Sequence, residues 1–245
     1  MKKGFTLAEV LITLVIIGVV AAIMVPALLS NFEKHTWEAG IKKAYNSLSE
    51  AIELYMVEDG SSKLSSSSLA NNQEGMRAFV NKYFKVVKDC GDRYYDPNGN
   101  SCFAKEYYSL DKSQKVNISG YKCMFVVNTA DNMSFCFDSG AIPTSEAGSD
   151  INGDGVVDEN DIAYSSWDEN AEYKHVMSVE VDINGPKWPN VFGRDVFAMH
   201  VMDNGTVGDS TYDESKRDEI LEKYQKNAWP MPIGIIQAEG WKMTY

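Results

Sequence analysis

Positive charge is in short supply: 23 lysines and arginines face 35 aspartates and glutamates, a formal charge of −12 over 245 residues. A phosphate backbone is gripped by basic groups that displace its counterions, so nucleic-acid binding is not expected. Histidine is scarcer, and His35, His175 and His200 lie scattered along the chain. No GxSxG, HExxH, phosphate-loop or dinucleotide fingerprint occurs, and an enzyme is not expected. Internal repeats are missing, and the serine-rich run over 61–68 is the only low-complexity patch. What remains is ample for folding: 44% hydrophobic and 11% aromatic residues can bury a real core. The length exceeds one average domain without requiring two. The acidic surplus suits an exported, soluble surface and the binding of divalent cations.

The cysteines number four, Cys90, Cys102, Cys123 and Cys136, with no CxxC pair and no histidine at zinc-ligand spacing. An even, clustered set on the exported side of a membrane reads as two disulfides. Three pairings are open. Cys90 with Cys102 and Cys123 with Cys136 close the shortest loops and are preferred.

Val10 to Leu29 is apolar except for Thr13 and the neutral breakers Gly18 and Pro26. About 20 such residues span a hydrocarbon core as a helix. Lys2 and Lys3 precede the run and hold its start on the cytoplasmic side, placing the rest of the chain outside. A cleaved secretory signal would have a shorter apolar region followed by a small-x-small site. Here the best such match, around Val20-Ala21-Ala22, is embedded in apolar sequence. Glu9 stands one turn inside the segment, where a lone carboxylate costs about 2.5–3.5 kcal/mol at the helix centre by insertion scales. It calls for a partner.

The run Gly4-Phe5-Thr6-Leu7-Ala8-Glu9 leading into an apolar helix resembles the type IV prepilins and the pseudopilins of type II secretion. The resemblance implies a basic leader (residues 1–4) removed by a membrane peptidase between Gly4 and Phe5, with Phe5 then N-methylated. It implies that Glu9 pairs with the amino terminus of a neighbouring subunit as a filament assembles, and that Pro26 is the family's helix-loosening proline. The physics agrees, because a buried carboxylate and ammonium each cost far less together than alone. The implied partners are other pilin or pseudopilin subunits, the prepilin peptidase/methyltransferase and an inner-membrane assembly platform.

The helix is expected to continue past the membrane. Trp37, Ile41, Ala44/Tyr45, Leu48, Ala51/Ile52 and Tyr55 recur at helical spacing with charged residues between them. Asp59-Gly60 and the serine run end it. A short helix is predicted over Glu74–Val87. Strand-like runs follow at Tyr121–Val127, Met133–Phe137, Val176–Ile183 and Asp195–Met202, the first two forming a hairpin. Asn204-Gly205 supplies a turn, Asp213–Gln225 a polar surface helix, and Gly240–Tyr245 an edge strand or docked tail. The predicted fold is α+β: one long amino-terminal helix packed on a mainly antiparallel β-sheet head, pilin-like. Its parts are a leader 1–4, a transmembrane and assembly helix 5–29, an amphipathic continuation 30–58 and an exported head 59–245.

Within the head, an excursion over 138–165 carries the sharpest motif. Asp150, Asn152, Asp154, the Val156 carbonyl, Asp158 and Asp161 fall at the alternating ligand positions of a twelve-residue calcium loop, and Gly155 takes the tight-turn position. The pattern resembles EF-hand and, more closely, dockerin loops, but Pro143 and Gly148 argue against an entering helix. A single loop also falls short of a dockerin. A structural calcium ion is expected here. Asp182, Asn184 and Asp195 form a weaker second candidate, set against a plain β–β connection in which Arg194 pairs with an acid.

Two roles fit these residues. The chain is expected to be a structural filament subunit of the bacterial cytoplasmic membrane. The alternative is a low-abundance minor pilin whose head acts as an adhesin or secretion-substrate binding tip.

Overall fold

The computed structural model describes residues 4, 6–67, 69, 73–139, 175–209 and 212–245. Helix α1 runs from Leu7 to Asp59, 53 residues, or about 80 Å at 1.5 Å per residue. It passes through Pro26, whose ring removes one helical N–H. It stops where the sequence predicts. Gly60 adopts φ 69°, a left-handed cap that a Cβ disfavours, and its N–H donates to the Met56 carbonyl at 3.0 Å.

The predicted stripe is the one buried. Ile41, Ala44, Leu48, Ala51 and Ile52 are 0–3% exposed, with Trp37, Tyr45 and Tyr55 partly covered beside them. Gly40 permits the close approach, since a Cβ there would stand 2.8 Å from the Ile183 methyl carbon Cδ1.

After a single 3₁₀ turn at Leu64–Ser66 comes helix α2, Gln73–Tyr83. The helix predicted over Glu74–Val87 is therefore too long. Val86 and Val87 instead open strand β1 (Val86–Arg93), with Val86 opposite Thr129. Two adjacent β-branched residues fit a ladder better than a helix terminus. Between the two elements Phe84 turns inward, to ring–ring distances of 5.3 Å from both Phe135 and Phe137.

The strands that follow are β2 (Glu106–Tyr108), β3 (Lys115–Asn117), β4 (Lys122–Thr129), β5 (Ser134–Ser139), β6 (His175–Asp182), β7 (Val196–Met202) and β8 (Val207–Gly208). Next come a 3₁₀ turn at Glu214–Lys216, helix α3 (Arg217–Lys226), β9 (Met231–Pro232) and helix α4 (Gly234–Ala238). The main sheet has the order β1-β4-β5-β6-β7-β8, antiparallel throughout, with β9 joining β7 in parallel. β2 and β3 pair apart from it. The predicted hairpin is β4–β5, turned at Asn132 with its N–H on the Thr129 carbonyl at 2.8 Å.

Period-two alternation gives the sheet two unlike faces. Phe125, Val127, Phe135, Phe137, Val179, Val181, Phe197, Met199 and Val201 join α1 in one core. The opposite face carries Val126, Cys136 and Val196 into a second cluster with Cys90, Cys102, Cys123, Tyr94, Phe103 and Tyr107.

The carboxy-terminal residues dock as a tail and form no strand. Met243 is 3% exposed and its N–H donates to Glu38 Oε1 at 2.9 Å. Tyr245 donates its hydroxyl to the Gly193 carbonyl at 3.2 Å, and Trp241 lies 4.8 Å from the Tyr45 ring.

Candidate functional site: the amino-terminal helix and its supports

The first turn of α1 is closed by its own side chains. Thr6 is the N-cap with extended backbone, and its hydroxyl accepts the Glu9 N–H at 3.3 Å. Glu9 Oε2 reaches back to accept the Thr6 N–H and hydroxyl, each at 2.8 Å. This reciprocal arrangement is a capping box, and the carboxylate also complements the positive end of the helix. Glu9 thus has a partner inside its own subunit, which the Thr-x-x-Glu spacing announces and which a search for a partner in another subunit overlooks. Gly4 lies just before the helix and is exposed. Phe5 lies outside the described residues. Pro26 sits inside the helix and is exposed.

The first half of α1 carries a full coat of apolar side chains, and none of the described residues packs against them. Leu7, Ile12, Ile16, Ile23 and Phe32 are 56–79% exposed. By length and composition this stretch can cross a membrane.

The four cysteines join as Cys90–Cys102 and Cys123–Cys136, with Cα separations of 5.9 and 6.0 Å. These are the two shortest loops. Both bridges lie on the sheet face turned away from α1. They fasten the irregular β1–β2 connection and the β4–β5 hairpin, where covalent links compensate for sparse aliphatic packing.

The calcium-loop residues Asp150, Asn152, Asp154, Val156, Asp158 and Asp161 lie outside the described residues. Among the described residues no group of three or more His, Cys, Asp or Glu side chains is placed to hold a metal ion. The second candidate resolves into a closed turn. Asp182 and Asp195 are both 0% exposed. Asp182 accepts the Tyr107 hydroxyl at 2.6 Å and the Asn184 N–H at 3.2 Å. Asp195 accepts the N–H groups of Asn190 and Val191 at 2.8 and 2.7 Å. Burial, reinforced by the Asp195 charge, pushes the Asp182 carboxyl well above the usual range. Burial raises Asp195 to about 6, against the pull of its backbone donors. These acids knot the β6–β7 connection. Arg194, expected to pair with an acid, lies over the Trp37 ring at 5.7 Å and ties that connection to α1.

Residues 1–25 match the prokaryotic N-terminal methylation motif. The chain is 32% identical over 81 residues to the type II secretion system core protein G of Pectobacterium carotovorum subsp. carotovorum, covering 33% of this chain and 47% of that one. The core protein G of Vibrio cholerae is 34% identical over 81 residues, 33% of this chain and 50% of that protein. That of Klebsiella michiganensis is 29% identical over 98 residues, 40% and 61% of the two chains. The chain thus spans about half the length of the curated relatives it matches. No solved structure matches.

Proposed function

We propose that this chain is a structural subunit, a pilin or pseudopilin, of a type IV pilus or type II secretion-type filament. The observation that carries the reading is the division of α1. One continuous helix has a second half that belongs to the head and a first half whose apolar coat has no counterpart among the described residues. Such a surface needs a bilayer first, and the same surface of other copies later. The methylation motif at residues 1–25 and the similarity to core protein G support it. On this reading a prepilin peptidase/methyltransferase cuts after Gly4 and methylates Phe5. The subunit waits in the cytoplasmic membrane with its head outside, and an assembly platform draws it into the filament. The role is mechanical, with no catalytic step and no nucleic acid.

Glu9 then acts twice. In the free subunit it caps α1, and in the filament it meets the amino terminus of a neighbour. Both capping contacts fall on Oε2, so the carboxylate can keep its cap and offer Oε1 outward. Glutamine preserves a capping box but carries no charge. Glu9→Gln is therefore expected to be cleaved normally and to abolish or sharply reduce sheared filaments, and the same is expected of Glu9→Ala. Normal filament yield from Glu9→Gln would sink the charge-pairing role and leave only the cap.

A second reading is a minor subunit that displays its head as an adhesin or a secretion-substrate binding tip. It is favoured by the extent of the head, since two thirds of this chain lies outside the stretch similar to core protein G. Quantifying the subunit in sheared filaments decides the matter: dominance marks a major subunit, traces a tip.

The acidic loop at 150–161 is proposed to hold a structural calcium ion, because its oxygen donors fall at the alternating positions of a calcium loop. Chelation is expected to lower the melting temperature of the full chain in detergent, and calcium alone to restore it. An unchanged melting curve would remove the ion from the account.

A further inference from the structure

Helix α1 enters the head beside a cleft of about 180 Å³. Before it, the described side chains of residues 7–33 are exposed; at Lys34 the helix becomes half-covered, and at Ile41 it is sealed. Glu33, Lys34 and Trp37 of α1 line the cleft, with Arg194 of the β6–β7 connection and Met243 and Tyr245 of the docked tail.

Lys34 and Arg194 are both half-buried. Neither forms an ion pair with a described residue. The guanidinium lies over the Trp37 ring at 5.7 Å, and its N–H groups meet no acceptor there. Glu38, the nearest turn's other acid, is already occupied by His35 at 3.0 Å and by the Met243 N–H at 2.9 Å. That leaves one acidic side chain, the exposed Glu33, against two cationic ones. In a chain of formal charge −12 this is a local reversal of sign.

Height along the helix decides what fills the cleft. The apolar run from Val10 to Leu29 is about 30 Å long at 1.5 Å per residue, the thickness of a hydrocarbon core. Lys34 follows its end by about 7–8 Å and Trp37 by about 12 Å, less if the helix tilts. The headgroup layer fills about 5–8 Å on each side of the core. Lys34 and the long arm of Arg194 therefore reach phosphate level, where tryptophan and tyrosine also settle. A guanidinium presents paired N–H groups that match the oxygens of a phosphate. The same end of the sheet carries a second aromatic–cation pair: Trp188 is 73% exposed, with Lys112 Nζ 5.7 Å from its ring centre.

We propose that this cleft holds the phosphate of an anionic phospholipid of the outer leaflet, clasped between Arg194 and Lys34 beside the rings of Trp37 and Tyr245. The site rests on the membrane placement of α1 given above. It sets the height and rotation of the head over the bilayer while the subunit waits, and it is given up when the helix leaves for the filament.

The test is native mass spectrometry of the full chain from neutral-detergent micelles. The micelles are doped with phosphatidylglycerol, with phosphatidylcholine, whose headgroup carries its own positive charge, or with inorganic phosphate. Retention of one phosphatidylglycerol in preference to both other probes is expected. Its affinity should fall about fivefold in Lys34→Gln and at least as far in Arg194→Gln, with Arg194→Lys recovering part of the loss. Lys34 makes no hydrogen bond or ion pair within the described head, so Lys34→Gln should melt as the parent does without lipid. That separates lost binding from lost folding. Equal retention of phosphatidylcholine, equal binding of inorganic phosphate, or full affinity in both glutamine variants would overturn the proposal. Full lipid affinity but lost filaments in Arg194→Gln would also overturn it, and would assign the cations to an acidic group of a second copy. A carbonate wash of membranes keeps the site apart from the reading beneath it. Release of the parent chain overturns the membrane placement and the site together, whereas retention without a preference for phosphatidylglycerol overturns the site alone.

Discussion

The two halves of α1 are equally apolar along one face and equally helical, yet they obey different rules. In the second half, Ile41, Leu48 and Ile52 are sealed against the sheet at 0% exposure. In the first, Ile12, Ile16 and Ile23 are 56–71% exposed, as are residues on every side of the helix there. The second half has a stripe because a folded head needs one dry face and one wet face. The first has no stripe because a bilayer, or a bundle of identical helices, is dry all round. One helix therefore serves two solvents, and Gly40 lies where the demands of the sheet take over.

The sharpest break in this comparison comes from equal truncations in the two halves. Leu48→Ala should destabilise the head by about 2–5 kcal/mol, the cost of a cavity that neighbours cannot refill. Ile16→Ala should leave denaturant unfolding of the head unmoved and show itself only in membrane retention or filament yield. A drop in head stability from Ile16→Ala would mean that the halves are not independent.

Next in size is loosening the head from the side opposite the helix. Replacing Cys90 and Cys102 by serine opens a loop with a sequence separation of 12, and a loop of that order is worth about 3 kcal/mol. The melt of the head should shift accordingly, while extraction of the first half of α1 from membranes needs the same detergent as before.

A third break comes from pH. Folded Glu180 and Asp195 hold their protons to about pH 7 and about 6, above the ordinary 4.5 and 3.8. The folded state therefore binds more protons than the unfolded one between these values. The stability these groups contribute is complete below about pH 4 and is lost as pH rises through 6 and 7. The head should melt progressively lower from about pH 5 to about pH 8, and Glu180→Gln should flatten the upper part of that slope. An unchanged slope would show that Glu180 titrates as an ordinary carboxylate.

What can be read from the sequence follows from periodicity and length. The stripe from Trp37 to Tyr55, the Gly60 stop, the β4–β5 hairpin and the β6–β7 pair repeat often enough for a period to declare itself. β2, β3 and β9 are two or three residues long. They exist because a partner strand is already in place, as Phe197 is for Met231, and so short a segment carries no period. Val86 and Val87 read as helix because their spacing from Phe84 and Val80 fits both periods. The site divides in the same way. Glu9 is recognisable as unusual, and its cap with Thr6 is equally open to reading. The burial of Glu180 against the Tyr94 hydroxyl is not, since the two lie 86 residues apart and meet only through the fold. Asp182 and Asp195 look like cation ligands because a sequence displays charge and conceals burial.

The capping box at Thr6 and Glu9 has one more consequence, which concerns access rather than stability. A peptide bond inside a helix has its N–H and carbonyl already engaged, and a protease must first unwind it to draw it into an active site. The N-cap at Thr6, with its extended backbone, starts the hydrogen-bonded ladder beyond Gly4, which stays outside it and exposed. On the proposed cleavage after Gly4, a peptidase would act ahead of the helix start at Leu7 and would have no turn of the rod to melt.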